Sequence, residues 1–352
     1  MSIEIAVRKK LHNFDLDVSF TAENEYLGLL GASGCGKSMT LKCIAGIEKP
    51  DSGYIRINGR TVFDSEKKIN IKPGERKCGF LFQNYALFPT MTIAQNIELV
   101  LHRLPAAQRK EKTTAVLSRF GIAEFAGRKC TELSGGQQQR AALARIMVNN
   151  PEIIMLDEPF SALDSFVKQQ TETNLINMME GFNRTVLFVS HDRDEIYRIC
   201  DNIAVISDGT ICRKGTCRDV FVDPQTVAAA RLTGCKNIAG YKRTGQRSIF
   251  VADWNIEMQT AADVPYEKGY VGIRAHYMHK SDCTDLINCY VFTVKQRLKS
   301  PFSISAYISS PGSPVPIDWE IAVNNGTITS DTPFNAEEKI CIPPESIMFL
   351  TE

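Results

Sequence analysis

The chain has 352 residues, 43% of them hydrophobic and 23% charged, which is ordinary globular composition and enough chain for two domains, so a disordered or fibrous protein is excluded. Lys plus Arg number 41 against 40 for Asp plus Glu, a formal net charge of +1, so bulk charge does not hold this chain to nucleic acid and any anion must be bound locally. Eleven cysteines from Cys35 to Cys341 contain no C-x-x-C pair and follow neither zinc nor disulfide-scaffold spacing, which predicts reduced thiols in a cytosolic protein.

Met1 to Lys10 alternates instead of building a signal-peptide core, and no apolar run approaches the roughly 18 to 20 residues that cross a bilayer, so a chain that stays where it is made is expected. Leu16, Val18 and Phe20 alternate with Asp15, Asp17 and Ser19, the pattern of an antiparallel strand with one wet face. The apolar strand Tyr26 to Leu30 then leads into Gly31-Ala32-Ser33-Gly34-Cys35-Gly36-Lys37-Ser38, and a helix begins at Lys37. This is G-x-x-x-x-G-K-[ST] in its required strand-to-helix setting. Its glycines let backbone N–H groups wrap phosphate oxygens, and the helix N-terminus adds roughly half a positive charge. Lys37 is placed for the β- and γ-phosphates and Ser38 for Mg²⁺.

Short β-branched runs follow at Gly79 to Phe82, Ile153 to Leu156 and Thr185 to Val189, separated by helical periods such as Gln137 to Met147 and Lys168 to Met179. Near-continuous apolar strands alternating with helices predict a mostly parallel sheet covered on both faces, here with an added antiparallel β layer. Leu133-Ser134-Gly135-Gly136-Gln137-Gln138-Gln139-Arg140 opens a long helix with a second anion-seeking N-terminus, although a capped helix after a loop explains such a turn when it stands alone. The strand Ile153 to Leu156 ends in Asp157-Glu158. Asp157 suits Mg²⁺ and Glu158 suits polarising an attacking water, against the plainer reading of acids at a helix N-cap.

Beyond Thr233-Gly234 the helical pattern disappears. Strands are expected at Tyr290 to Leu298, Phe302 to Ile308 and Ile317 to Val323, with a turn at Asn324-Asn325-Gly326 and prolines as punctuation, which predicts a small all-β domain from residue 233. Lys295, Arg297 and Lys299 fall on one face of an ideal strand. They either hold a regulatory oxyanion or defend a solvated edge strand.

The order of Walker A, Gln83 in Phe82-Gln83-Asn84, Leu133 to Arg140, Asp157-Glu158, Ser161-Ala162-Leu163-Asp164 and His191 in Val189-Ser190-His191-Asp192 resembles an ATP-binding-cassette ATPase. The resemblance implies a P-loop NTPase α/β domain over residues 1 to 232, with a helical subdomain over about 88 to 150. The tail, 233 to 352, is similar to the OB-like TOBE/MOP-type regulatory barrel of importer ATPases, although Ile273-Arg274-Ala275-His276 departs from the usual I-R-P-E entry.

By the same resemblance, ATP is held by Gly31, Ala32, Ser33, Gly34, Cys35, Gly36, Lys37, Ser38 and Met39 of one copy and by Ser134, Gly135, Gly136 and Gln137 of a second copy packed head to tail. Gln83 touches Mg²⁺ and the attacking water, Asp164 contacts the opposing P-loop, and His191 bonds the γ-phosphate and holds Glu158. The family stacks an aromatic on adenine, and the candidates are His12 and Phe14; Phe14 also shares the phase of the core residues Leu16, Val18 and Phe20. The partners implied are transmembrane permease subunits, met by the segment from Phe88-Pro89-Thr90-Met91 to about residue 132 at the cytoplasmic face of the membrane, and, indirectly, an extracytoplasmic solute-binding protein. Val7 to Val18 and the run Asn58 to Ile69 are similar to molybdate-importer ATPases, so molybdate or a related oxyanion is the expected cargo, with sulfate, polyamine, ferric ion and sugar as alternatives. A soluble cassette protein acting on nucleic acid or ribosomes would ordinarily carry two cassettes, a coiled-coil insertion or a basic tail, and an exporter cassette would lack the β tail.

Overall fold

The computed structural model describes residues 1–161, 165–179, 181–280, 287–300, 303–322 and 336–352. Its first strands, Ser2–Lys10 and Asp15–Glu23, pair antiparallel and bury every second residue, so Ile3, Ile5, Val7, Leu16, Val18 and Phe20 line one core while their neighbours face solvent. These two strands belong to a single eleven-stranded sheet. In its other half Cys78–Leu81, Ile153–Asp157, Val186–Ser190, Tyr26–Leu30 and Asn202–Ser207 run parallel, in that spatial order. Ile153–Asp157 and Val186–Ser190 are buried at every residue, as strands covered on both faces must be.

The antiparallel half carries the run that resembled molybdate importers. Asn58 to Ile69 turns through Asn58 and Gly59 into the strand Arg60–Asp64, and its Val62 and Phe63 are packed into the core. Between the strands Cys78–Leu81 and Ile153–Asp157 lie the helices Ile93–Glu98, Ala106–Arg119 and Gly135–Met147.

The chain divides into two units, Met1–Cys217 and Arg218–Glu352. The boundary expected at residue 233 falls inside the second. The helix Val227–Leu232 clusters its Ala230 with Cys235 and Leu350, and buried Arg274 donates to the carbonyls of Thr233 and Phe221, so the segment from 218 to 232 belongs with the strands that follow it.

The second unit contains two five-stranded antiparallel sheets built around one core that includes Trp254, Trp319, Phe292 and Ile340. The expected strands are Cys289–Lys299, Ser303–Ser309 and Ile317–Ala322; the turn at Asn324 to Gly326 lies outside the described residues.

Two expectations are corrected here. Cys289 and Cys341 sit directly opposite each other on adjacent strands, with Cα atoms 4.1 Å apart, and form a disulfide, so the thiols are not all reduced; sequence spacing concealed the pair because the sheet register, not the chain, brings them together. The strand Cys289–Lys299 also has a β-bulge at Lys295: Val294 pairs with Ile308 but Gln296 with Tyr307. The extra residue breaks the two-residue period, so Lys295 does not share one regular face with Arg297 and Lys299.

Candidate functional site

Tyr26–Leu30 ends at Leu30 and the chain turns through Gly31 to Gly36 into the helix Lys37–Ala45. Gly36 is the N-cap, at φ 107° and ψ 0°, and no side chain caps the helix, so its first N–H groups point into the loop unclaimed by a cap. Lys37 is buried; its Nζ donates to the carbonyls of Gly31 and Ala32, each at 2.8 Å, which curls the loop around its own ammonium. Ser33 and Gly34 are exposed at the tip, and Met39 lies partly buried in the first helical turn. Burial raises the pKa of the Cys35 thiol against the pull of Lys37.

The Ser38 hydroxyl donates to Asp157 Oδ1 at 2.7 Å, joining the P-loop helix to the end of the buried strand Ile153–Asp157. Burial pushes the Asp157 carboxyl above the usual carboxylate range, the Ser38 hydrogen bond opposes that shift, and the charge of Glu158 adds to it. Glu158 has φ 46°, a left-handed conformation that turns its carboxylate out of the strand line; its Oε1 lies 3.4 Å from His191 Nδ1. Ser161 joins this group on the other side, donating to the Glu158 carbonyl at 3.0 Å and accepting from Gln83 Nε2 at 3.0 Å. Gln83, Glu158 and His191 are thus brought together, at the C-terminal ends of parallel strands that also carry Lys37, Ser38 and Asp157.

Ser134 to Gln137 stand apart from this group. Ser134 Oγ accepts from Gln137 N, and Gln137 Oε1 accepts from Ser134 N at 2.9 Å, a capping box that leaves the N-terminus of the helix Gly135–Met147 facing an open pocket. Asp164 lies outside the described residues. Phe14 is half-buried against the core and beside Gly36, while His12 is exposed.

Several residues of the site had gone unassigned. Gln139, almost fully buried, donates to the Pro159 carbonyl at 3.2 Å and ties the helix Gly135–Met147 to the Glu158 turn. Arg145 donates to the carbonyls of Tyr85 and Ala86, two residues at positive φ just past Gln83. Buried Ser190 and Glu195 and the partly exposed Lys168 form a polar cluster flanking His191. The spacing Ser190-His191-Asp192-x-x-Glu195, a capped strand-to-helix turn, was the available signal for two of them.

A P-loop between a central parallel strand and a helix, with a carboxylate-tipped strand one place removed in the same sheet, defines a P-loop nucleotide-binding protein. The ABC transporter family model matches residues 11–161. The spermidine/putrescine import ATP-binding protein PotA of Oleidesulfovibrio alaskensis is 36% identical over 249 residues, covering 70% of this chain and 64% of that protein. PotA of Bacillus thuringiensis is 34% identical over 252 residues, covering 71% of this chain and 74% of that protein. Among solved structures, the dimeric ATP-binding cassette MJ0796 in a post-hydrolysis state bound to ADP and Pi matches 62% of this chain and 99% of that chain, with 30% identity and a TM-score of 0.52. The chain belongs to the ABC transporter family. These curated relatives are named for spermidine and putrescine, not for molybdate. Among the described residues no helix is long and apolar enough to cross a membrane.

Proposed function

We propose that this chain is the ATP-hydrolysing subunit of an importer, acting as a head-to-tail dimer beneath a separate permease at the cytoplasmic face of the membrane. The observation that carries the reading is the convergence of Lys37, Ser38, Asp157, Glu158, Gln83 and His191 at one end of the parallel strands. Lys37 and the N–H groups of the P-loop bind the β- and γ-phosphates. Glu158 accepts a proton from the attacking water, and His191, beside it, holds that carboxylate and donates toward the γ-phosphate. Gln83 is oriented through Ser161 toward the same space.

Ser38 and Asp157 suit Mg²⁺: both offer oxygen, they are 2.7 Å apart, and the buried carboxyl carries a charge that a cation would relieve. The metal, when bound, neutralises charge on the phosphates.

A dimer fits because the N-terminus of the helix Gly135–Met147 is capped within itself and is not hydrogen-bonded to the P-loop of its own chain. The dimeric state of the solved cassette supports this arrangement. For the cargo, the names of the relatives favour a polyamine over the molybdate suggested by short stretches of sequence. The run Asn58 to Ile69 forms a turn and the strand Arg60–Asp64, with Val62 and Phe63 packed into the core, and its likeness to molybdate importers is one of sequence alone.

The test is hydrolysis by the purified chain with ATP and Mg²⁺, alongside Glu158→Gln. Turnover by the wild type, and a fall of about 10²- to 10⁴-fold in the variant with ATP still bound and an ATP-dependent dimer on size exclusion, is expected. Near-normal hydrolysis by Glu158→Gln overturns the role of Glu158. For the cargo, uptake of labelled spermidine and of molybdate is compared in cells with and without this chain; loss of molybdate uptake alone overturns the polyamine assignment.

A further inference from the structure

His191 is more than half exposed and, among the described residues, its ring makes one polar contact, 3.4 Å from Glu158 Oε1, so its side chain is not what holds it in place. Its backbone is. The residue before it, Ser190, ends the strand Val186–Ser190, and its hydroxyl donates to Glu195 Oε2 at 2.6 Å while accepting from Asp192 N at 2.9 Å. The residue after it, Asp192, is the N-cap of the helix Arg193–Ile199 and accepts from Asp194 N at 2.9 Å. These bonds close a tight ring around the His191 backbone, but all of them come from the same strand-to-helix turn.

Among the described residues, one side chain enters this ring from elsewhere. Lys168, on the helix Ser165–Met179, places its Nζ 2.6 Å from Asp192 Oδ2 and 2.6 Å from Glu195 Oε1. Glu195 is nearly fully buried, so its charge requires a cationic partner, and among the described residues the partly exposed Lys168 is the cation in contact with it. Burial works against both charges of the Lys168–Asp192 pair, yet their hydrogen bond overcomes it: the ammonium is pushed up and the Asp192 carboxyl is held below its usual range. One turn along, Arg198 donates to both oxygens of Glu172 at 3.0 Å each, a second staple between the same two helices that touches neither Ser190 nor Asp192.

We propose that Lys168 is a positioning residue for His191, clamping the Ser190–Asp192 turn so that the imidazole stays beside Glu158. Through Lys168 the helix that directly follows residues 162–164 fixes the histidine turn. The proposal rests on the reading of His191 as a nucleotide-contacting group, so its first measurement is made without nucleotide.

The chain has five histidines, so the imidazole Cε1–H signals are few enough for His191 to be identified by its loss in His191→Ala. Lys168→Met is expected to shift or broaden that signal in nucleotide-free protein, Lys168→Arg to restore it, and Arg198→Met to leave it in place. In hydrolysis assays Lys168→Met is expected to lower kcat about ten- to a hundredfold, with KM within about twofold, as misplacement of a catalytic group does. Lys168→Gln carries the same test if the Met variant fails to fold. An unmoved His191 signal overturns the proposal, and so does an Arg198→Met variant that moves it equally, since helix docking alone would then explain the effect. A shifted signal with unchanged turnover leaves the clamp standing and overturns the role given to His191.

Discussion

Two glycines of the P-loop hold left-handed or more extreme backbone angles, and the structure predicts unequal consequences for replacing them. Gly36 has φ 107°, and a Cβ there would lie 2.6 Å from Leu16 Cδ1 and 3.4 Å from the Phe14 ring, with Leu16 itself fully buried. Gly36→Ala therefore meets backbone strain of about 1–2 kcal/mol and an overpacking cost of about 1–3 kcal/mol, together near 3 kcal/mol. Gly34 has φ 82° but is exposed, with nothing within 4 Å of its would-be Cβ, so Gly34→Ala meets the backbone cost alone, about 1 kcal/mol.

Urea unfolding of nucleotide-free protein measures both, followed by far-ultraviolet circular dichroism, because the long helices lie in the first unit. Trp254 and Trp319 both lie in the second unit, so their fluorescence provides an internal reference that neither substitution is expected to move. Where the loop relieves its strain by leaving the phosphate-binding shape, the same 3 kcal/mol appears as lost ATP affinity, about a hundredfold. Equal destabilisation by the two variants, or a larger effect from Gly34→Ala, refutes the packing argument.

Ser134→Arg places a cation and bulk at the N-terminus of the helix Gly135–Met147; hydrolysis is expected to stop while the P-loop still binds nucleotide, and full activity contradicts a site shared between two copies. Because burial raises the Asp157 carboxyl, protons compete with a cation there: the Mg²⁺ concentration needed for half-maximal hydrolysis is expected to rise as pH is lowered, and a pH-independent requirement refutes cation binding at Asp157. The Asp192 carboxyl, opposed by burial but held down by Lys168, behaves in the reverse sense. Its folded value lies below the unfolded one of about 3.9, so its stabilisation is complete above that pH and is lost as pH falls through the folded value. Lys168→Met is therefore expected to flatten the acid limb of the stability curve by about 1 kcal/mol, and an unchanged limb in acid titration refutes the ion pair as its source.

Much of the site was legible in sequence because phosphate chemistry constrains adjacent residues. Gly31 to Ser38 need their spacing to form a loop, and Asp157-Glu158 need a strand to end on, so local pattern and local structure coincide. Lys168 was invisible for the opposite reason: on its own helix it is one more charged residue, and only the packing of two helices sets it 2.6 Å from Glu195. Arg274 is similar, a residue of an unusual entry motif whose partners are carbonyls at Phe221 and Thr233.

The tail shows where the period fails. Strict alternation placed Lys295, Arg297 and Lys299 on one face, but a single extra residue in the ladder shifts everything beyond it, and no propensity at Lys295 announces a bulge. The Cys289–Cys341 pair is likewise 52 residues apart in sequence and adjacent only through register. The sequence by itself determined the local patterns: a glycine-rich turn between strand and helix, a buried strand ending in two carboxylates, and a mostly parallel sheet. The tertiary structure decided which side chains stand behind them, where the second unit begins, and which thiols meet, because those depend on contacts across helices and strands that residue spacing does not encode.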